Sequence, residues 1–545
     1  MFVPKLITCL KNYTKDQFIK DLTAGIIVAI IALPLAIALA IASGVSPEKG
    51  IYTAIVGGFV VSLLGGSRVQ IGGPTGAFVV IVAGIVEEFG IDGLIVATIL
   101  AGIFLMIMGF FKFGGMLKFI PYPITTGFTS GIAIIIFSTQ IKAFFGLSME
   151  TVPSEFVPKW IAYFDSFNTL NMQSMLIGIL SISIIIFWPK INKKIPGTLI
   201  AIVLATVISL LFKLDLQTIG SRFGDISSAL PSISLPHTSF GMIKQLMLPA
   251  LTIAILGSIE SLLSAVVADG MIGGSHRSNM ELVGQGVANI CSGLVGGIPV
   301  TGAIARTAAN VKNGGRTPVA GIVHAITLLI ILVVCMPYVK LVPMSALAAI
   351  LIVVSYNMGE WESFLQIFKA PKSDALVLLV TFSLTIFFDL VIAIGIGLVL
   401  ASLLFMKRMA DVSDVRYILD EDKDQLELID SIKTPENVSV YEINGPFFFG
   451  AADKFMHAVR ELGIPTKILI IKMSNVPAID ATGFHGLEML YEICKKHNTE
   501  LIILNLQDQP LNALSKYGFI DLLGSENFCD SVDEAIDRAN YLLTK

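Results

Sequence analysis

Apolar runs begin at Leu22 and recur, separated by short polar breaks, as far as Met406. A helix of about 20 apolar residues spans the hydrocarbon core of a bilayer. Fourteen apolar segments can be drawn. The first seven cover 22–42, 50–66, 76–89, 93–111, 124–145, 173–188 and 196–212. The second seven cover 245–267, 279–297, 302–311, 317–337, 341–355, 373–388 and 390–407. The third and tenth are too short to cross as regular helices. Past Lys407-Arg408 the pattern changes. Residues 411–424 are dense in charge, and beyond Pro435 the chain reads as a small α/β domain. Its strands are expected at 438–443, 468–471 and 501–504, with helices at 451–462, 482–497, 509–517 and 532–543. The predicted layout is a cytosolic N-terminal segment 1–21, a transmembrane domain 22–408, a linker 409–434 and a cytosolic domain 435–545.

Composition agrees. Of 545 residues 54% are hydrophobic and only 14% charged, against about 25% charged in soluble domains. A single soluble core is excluded, and a polytopic membrane protein is implied. The net charge of −4 is less informative than where Lys and Arg sit. With the N-terminus inside, the inner loops hold Arg68, Lys112, Lys118, Lys190, Lys193, Lys194, Arg277, Lys312, Arg316, Lys369 and Lys372. The outer loops carry Glu87, Glu88, Asp92, Glu150 and Glu155 and the mixed stretch 215–244. This predicts fourteen crossings of an inner (plasma) membrane with both termini cytoplasmic. The first apolar run lacks a small-residue cleavage site and reads as a retained span. The five cysteines have no disulfide-like or metal-like spacing. No Walker-type loop is present, and neither a metal, a nucleotide nor a nucleic-acid partner is expected.

Two segments are spelled alike: Gly72-Gly73-Pro74-Thr75-Gly76-Ala77 and Gly296-Gly297-Ile298-Pro299-Val300-Thr301-Gly302-Ala303. They precede the two short segments, one in each half. Interrupted apolar segments at matching positions of two halves point to a transporter's binding site. The loop charges run segment 3 outward and segment 10 inward, as a seven-plus-seven inverted repeat requires. Two half-helix N-termini then face each other, each with unpaired N–H groups and about half a positive charge. Together they form an anion cradle that needs no lysine. The expected lining is Thr75, Gly76, Ala77, Phe78, Thr301, Gly302, Ala303 and Ile304. The glycines would let backbone approach the ligand, and the threonines would cap the helices or donate hydroxyls. Packing glycines are common in membrane helices, but the matched and opposed placement favours a site.

Glu260 lies deep in the eighth segment, where an ionisable residue should face a cavity or a partner. Burial favours the neutral carboxyl, so Glu260 could carry a proton. It could equally ligate sodium with neighbouring oxygens, or be a structural acid. Ser264 follows one turn later on the same face. Arg306, four residues after Gly302, could add positive charge near the anion, pair with Glu260, or serve the inner surface. His324 and Asp389 read as structural groups. Tyr122, Gln140 and Lys142 receive no role.

At these residues the chain resembles the SulP family of anion permeases, whose fold is like that of uracil permease. The resemblance covers nearly the whole chain. It rests on Ile31-Ala32-Leu33-Pro34-Leu35-Ala36, the Gly-Pro-Thr-Gly-Ala of segment 3, the run Glu260 to Asp269, Thr301 to Thr307, and Gly314-Gly315-Arg316-Thr317-Pro318. The C-terminal domain is similar to STAS domains, related to anti-sigma-factor antagonists. The resemblance implies a homodimeric secondary transporter of sulfate, bicarbonate or dicarboxylates, with sulfate foremost. The anion would sit between segments 3 and 10, lined also by 1 and 8. Segments 5–7 and 12–14 would form a gate, against which the rest moves as an elevator. Sodium-coupled bicarbonate members carry Asp at Glu260, Thr at Ser264 and Thr at Ile304. These departures favour a proton over sodium as the coupling ion, with no other cofactor. Many animal relatives carry Gln where Leu35 stands. In the related antagonists a Ser or Thr of the loop before a helix is phosphorylated, which here points to Thr482, next to the expected cap Asp480. A regulatory partner would bind through this domain. An uncoupled anion channel or voltage-driven motor would not need Glu260. A membrane-anchored signalling protein would not need two intact motifs.

Overall fold

The computed structural model of the chain describes residues 2–11, 13–115, 121–149, 152–153, 155–192, 195–224, 228–233, 236–388, 390–412, 414–417, 435–462 and 466–544. Asp389, Lys118, Lys193, Lys194 and Glu150 lie outside them. Two compact units result, Met1–Leu398 and Val399–Lys545.

All fourteen segments are helical. Segment 1 is Lys15–Ala42, starting before the apolar run because Thr14 caps it and Asp21 is buried. The Asp21 carboxylate accepts from the Tyr13 hydroxyl at 3.0 Å, the Arg316 N–H at 2.8 Å and the Thr317 hydroxyl at 2.6 Å. The Gly-Gly-Arg-Thr-Pro stretch therefore wraps an acid of segment 1. Segment 2 runs Pro47–Tyr52, a π-helical turn Thr53–Gly57, then Gly58–Leu64. Segment 3 opens with the 3-10 turn Gly76–Phe78 and enters the helix Val79–Phe110, which breaks at Gly90 (φ 67°, ψ −165°) to begin segment 4. Glycine adopts that conformation without steric cost. Segments 5, 6 and 7 are Tyr122–Phe145, Met172–Ile191 and Gly197–Leu211. The second half is Phe240–Ile272, Ser278–Leu294, Ile304–Lys312, Val319–Val339, Met344–Met358, Lys372–Phe387 and Leu390–Val412. Among the described residues, eight helices are long and apolar enough to cross a bilayer. The shorter and broken segments are tolerable because neighbouring segments enclose their irregular backbone.

Packing obeys an exchange of halves. Segment 9 lies on segment 4, and segment 2 on segment 11. Segment 8 lies on 4, and 1 on 11; segment 13 lies on 5, and 6 on 12. Moving each number by seven turns one pair into the other, as an inverted repeat requires. The contact of segments 4 and 9 is close. A Cβ on Gly102 would come within 2.5 Å of the Gly286 carbonyl oxygen, and one on Gly286 within 2.6 Å of the Gly102 oxygen. Small residues let membrane helices approach this nearly.

Besides a two-stranded ribbon in the first unit, β1 (Gly72–Gly73) and β2 (Thr301–Gly302), the chain forms in its second unit a five-stranded sheet, β3 to β7, whose spatial order follows chain order. The strands are Asp414–Tyr417, Val438–Asn444, Ile468–Asn475, Glu500–Leu504 and Phe528–Cys529. β3 is antiparallel to β4 and the rest are parallel. The stretch 409–434 expected as a linker instead begins with the end of the helix Leu390–Val412 and includes β3, while 413 and 418–434 lie outside the described residues. One sheet face packs Phe447, Phe455, Leu487 and Phe519, and the other packs Ala535 and Ala539 of the last helix. Asp480 caps the helix Ala481–Lys496, its carboxylate accepting from the Gly483 N–H at 2.8 Å.

A Gly286→Val change should overpack the contact of segments 4 and 9 and cost about 1–3 kcal/mol. Thermal unfolding of the purified protein followed by size exclusion checks this, and an unchanged midpoint would refute the close approach.

Candidate functional site

The two motifs meet as a ribbon. β1 (Gly72–Gly73) and β2 (Thr301–Gly302) pair antiparallel, with Gly72 opposite Gly302 and Gly73 opposite Thr301. The Ala303 N–H donates to the Ile71 carbonyl at 3.0 Å. The chain leaves the two strands in opposite directions, into the Gly76–Phe78 turn and the helix Ile304–Lys312. The first amides of each have no partner within their own helix.

Buried side chains hold both approaches. The carboxylate of Glu281, in segment 9, accepts from the N–H groups of Gly66 at 2.7 Å and Ser67 at 2.9 Å, and from the amides of Gln70 and Gln285 at 2.9 Å. Asn289 both donates to the Val300 carbonyl, at 2.8 Å, and accepts from the Val300 N–H, at 3.0 Å. Neither residue stood out in the sequence. A carboxylate and an amide within an otherwise apolar segment were the available signal.

Segment 8 touches both motifs within about one turn. The Thr75 hydroxyl donates to Glu260 Oε2 at 2.8 Å. Ser261 Oγ accepts from the Gly302 N–H at 3.1 Å and donates to the Thr301 hydroxyl. That hydroxyl donates to the Gly257 carbonyl at 3.1 Å. Arg306 starts from segment 10 but reaches the first motif. Its Nη2 donates to the Pro74 carbonyl, and its guanidinium fills the space a Cβ on Gly73 would need. At 3% exposure Arg306 does not serve the inner surface, and its Nη1 has no partner among the described residues. Arg306 and Glu260 are close enough to feel each other's charge. His324 is fully buried and neither ring nitrogen has a partner among the described residues.

The expected lining divides. Thr75 and Ile304 keep accessible surface, as does Glu260, whereas Gly76, Ala77, Phe78, Thr301, Gly302 and Ala303 are buried. Phe78 belongs to the apolar core and would lie 3.4 Å from a Cβ on Gly257. Neither threonine caps its helix through its side chain, because both hydroxyls are taken by segment 8. Gly302 faces the Gln70 amide, not open space: a Cβ there would lie 1.8 Å from Gln70 Nε2. Ser264 turns away from Glu260 and donates to the Thr307 hydroxyl at 3.2 Å. Gly76 faces segments 5 and 12, since a Cβ would lie 2.7 Å from Ile136 Cδ1 and 3.4 Å from Met358 Sδ. Among the described residues no three His, Cys, Asp or Glu side chains gather as a metal site.

Residues 18–381 match the sulfate permease family, and residues 431–535 match the STAS domain. The chain belongs to the sulfate permease family. It is 40% identical over 526 residues to the putative sulfate transporter YvdB of Bacillus subtilis, covering 96% of this chain and 98% of that one. It is 30% identical over 541 residues to the bicarbonate transporter BicA of a Picosynechococcus species, covering 95% and 94% of the two. The transmembrane domain of a cyanobacterial BicA superposes with a TM-score of 0.63 at 30% identity, covering 72% of this chain and 98% of that one. The structure of SLC26A9 shares the fold at 19% identity, with a TM-score of 0.87 over 99% and 93% of the two chains. This sulfate permease family member is a membrane transporter of anions and not an enzyme.

In this permease a Gly302→Ala change should displace Gln70, and with it a partner of Glu281. Anion binding measured by calorimetry should fall in the single variant and partly return when Gln70→Ala makes room. Wild-type affinity in the single variant would overturn this packing role.

Proposed function

We propose that this permease carries a small oxyanion, sulfate foremost, together with protons. The hydrogen bond from Thr75 to Glu260 carries the reading. An ionised carboxylate only accepts. It draws the Thr75 hydroxyl proton away from the cradle and leaves a negative charge beside it. A protonated Glu260 has an O–H of its own to donate. Thr75 then accepts, and its O–H is released toward an anion. Protonation thus removes repulsion and frees a donor, so proton and anion bind together.

The similarity to a putative sulfate transporter supports sulfate. The similarity to BicA supports bicarbonate as a second cargo, which the alternative reading couples to sodium. Against sodium stand the Ser264 hydroxyl, engaged with Thr307, and Ile304, which offers no oxygen. An uncoupled anion path suits the cradle less well, because it makes no use of the Thr75–Glu260 bond; a dicarboxylate, also a dianion, is the alternative cargo of the same site. We further infer an elevator-type movement of segments 1–4 and 8–11 against 5–7 and 12–14, in an inner-membrane homodimer with both termini cytoplasmic. The tight approach of Gly76 to Ile136 and Met358 supports a seam there. Thr482, exposed in the first turn of its helix, is the candidate phosphosite of a regulatory STAS domain. A phosphate there would meet the helix N-terminus.

Counterflow in proteoliposomes, with labelled anions under imposed proton or sodium gradients, tests this. Uptake should rise as the pH on the anion side falls, and Glu260→Gln should abolish that dependence while the protein still folds. Persisting proton-driven uptake in this variant would sink the coupling assignment. Thr75→Val should weaken anion affinity by about tenfold, equivalent to about 1.4 kcal/mol, and flatten its pH dependence; an unchanged affinity would remove the hydroxyl from the mechanism.

A further inference from the structure

A second feature lies away from the motifs. A cavity of about 470 Å³ opens between segments 1 and 3 on one side and segments 5 and 12 on the other. It runs from Val79, just past the first motif's turn, to an end lined by Glu87, Lys142 and Arg222. The loop charges place that end outside.

Its polar wall comes partly from the helix Phe156–Asp165, which is turned inside out. Val157, Ile161 and Phe164 are exposed at 51%, 56% and 72%, whereas Lys159 and Tyr163 are 7% and 2% exposed and line the cavity. These two lie four residues apart, on one helix face. Among the described residues the Tyr163 hydroxyl has no hydrogen-bond partner, and the Lys159 ammonium has neither a hydrogen bond nor an ion pair. The charge of Glu87 opposes the burial of Lys159 without pairing directly with it, and a buried cation this weakly compensated is costly. Among the described residues Glu87 is the one acid lining the cavity, which Lys142, Lys159 and Arg222 also line. Three cations less one acid leave an excess of two positive charges. Lys142 Nζ donates to the Met149 carbonyl at 2.8 Å and keeps donors in reserve. Burial pushes Lys159 below its ordinary pKa, with Glu87 opposing the shift. A bound anion would favour the charged form again.

We propose that this cavity is a second anion site, which holds a small divalent oxyanion against Lys142, Lys159, Arg222 and the Tyr163 hydroxyl. Its place as a way-station toward the motifs rests on the transport reading; its binding does not. Trp160 is a built-in reporter. It lies between Lys159 and the rest of the helix, meets Tyr163 edge-on at 6.1 Å, and donates to Ser138 Oγ at 3.1 Å.

The test is titration of the full chain in lipid nanodiscs with sodium sulfate at constant ionic strength. The signal is tryptophan emission, assigned to Trp160 by its loss in Trp160→Phe. A saturable change is expected. Its midpoint should rise at least tenfold in Lys159→Met and severalfold in Tyr163→Phe and in Arg222→Met. It should persist in Glu260→Gln. No saturable change, or an unaltered midpoint in both Lys159→Met and Arg222→Met, would overturn the site. Sulfate uptake without a Trp160 response also overturns it. A Trp160 response with no anion uptake overturns the transport reading and supports this site.

Discussion

The antiparallel pairing of Gly72–Gly73 with Thr301–Gly302 is the constraint on which the transport unit depends. Backbone away from water must find hydrogen-bond partners, and within a membrane regular helices normally supply them. Two chain segments that leave the helix at this depth would each expose orphan groups. Here each satisfies the other. One pairing therefore joins the two halves and stops both half-helices at the same depth. It also accounts for the glycines. Beside Gly73 the guanidinium of Arg306 occupies the Cβ position, and beside Gly302 the Gln70 amide does so. These residues give room to side chains that hold the ribbon, more than to a ligand.

The ribbon alone would be symmetric in chemistry as well as in direction, and segment 8 breaks that symmetry. It meets the second motif with a neutral hydroxyl, Ser261, which locks Thr301 and Gly302 in place. It meets the first motif with an acid, Glu260, which accepts from the Thr75 hydroxyl. One motif is thus held through neutral hydroxyls and the other through an ionisable group. Arg306 reinforces the division by crossing from the second half to the Pro74 carbonyl of the first.

Much of this layout is legible in the sequence, for identifiable reasons. Hydropathy outlines the fourteen segments because apolar residues facing lipid and those facing other helices look alike. Gly and Pro mark the two breaks because few residues tolerate the local backbone. Direction of side chains is less legible. Thr301 and Thr75 share a motif, yet only the three-dimensional neighbours show that one is locked between Ser261 and Gly257 and the other bonded to Glu260. Ser264 shares a helix face with Glu260, but Thr307 claims its hydroxyl. Arg306 could have faced either way along its short helix until the position of Gly73 fixed it. Asp21 and Glu281 were hidden because an acid that anchors backbone amides carries no motif. The helix Phe156–Asp165 is amphipathic, but lipid outside the bundle reverses the usual sense of its two faces.

Charge balance at the motifs links the coupling ion to the substrate. With Glu260 ionised, its charge and that of Arg306 cancel, leaving the two helix ends at about half a positive charge each. A sum near +1 suits a monoanion such as bicarbonate. Under the proton-coupled reading, neutral Glu260 raises the sum to about +2, which suits a dianion such as sulfate. The choice between the two anions and the occupancy of a proton on Glu260 are then one question. A site that loads a dianion only when Glu260 is protonated leaves an unbalanced charge whenever either is missing. In a low-dielectric interior that imbalance is costly. Under that reading the penalty itself would hold proton and anion together, without a separate device to couple them.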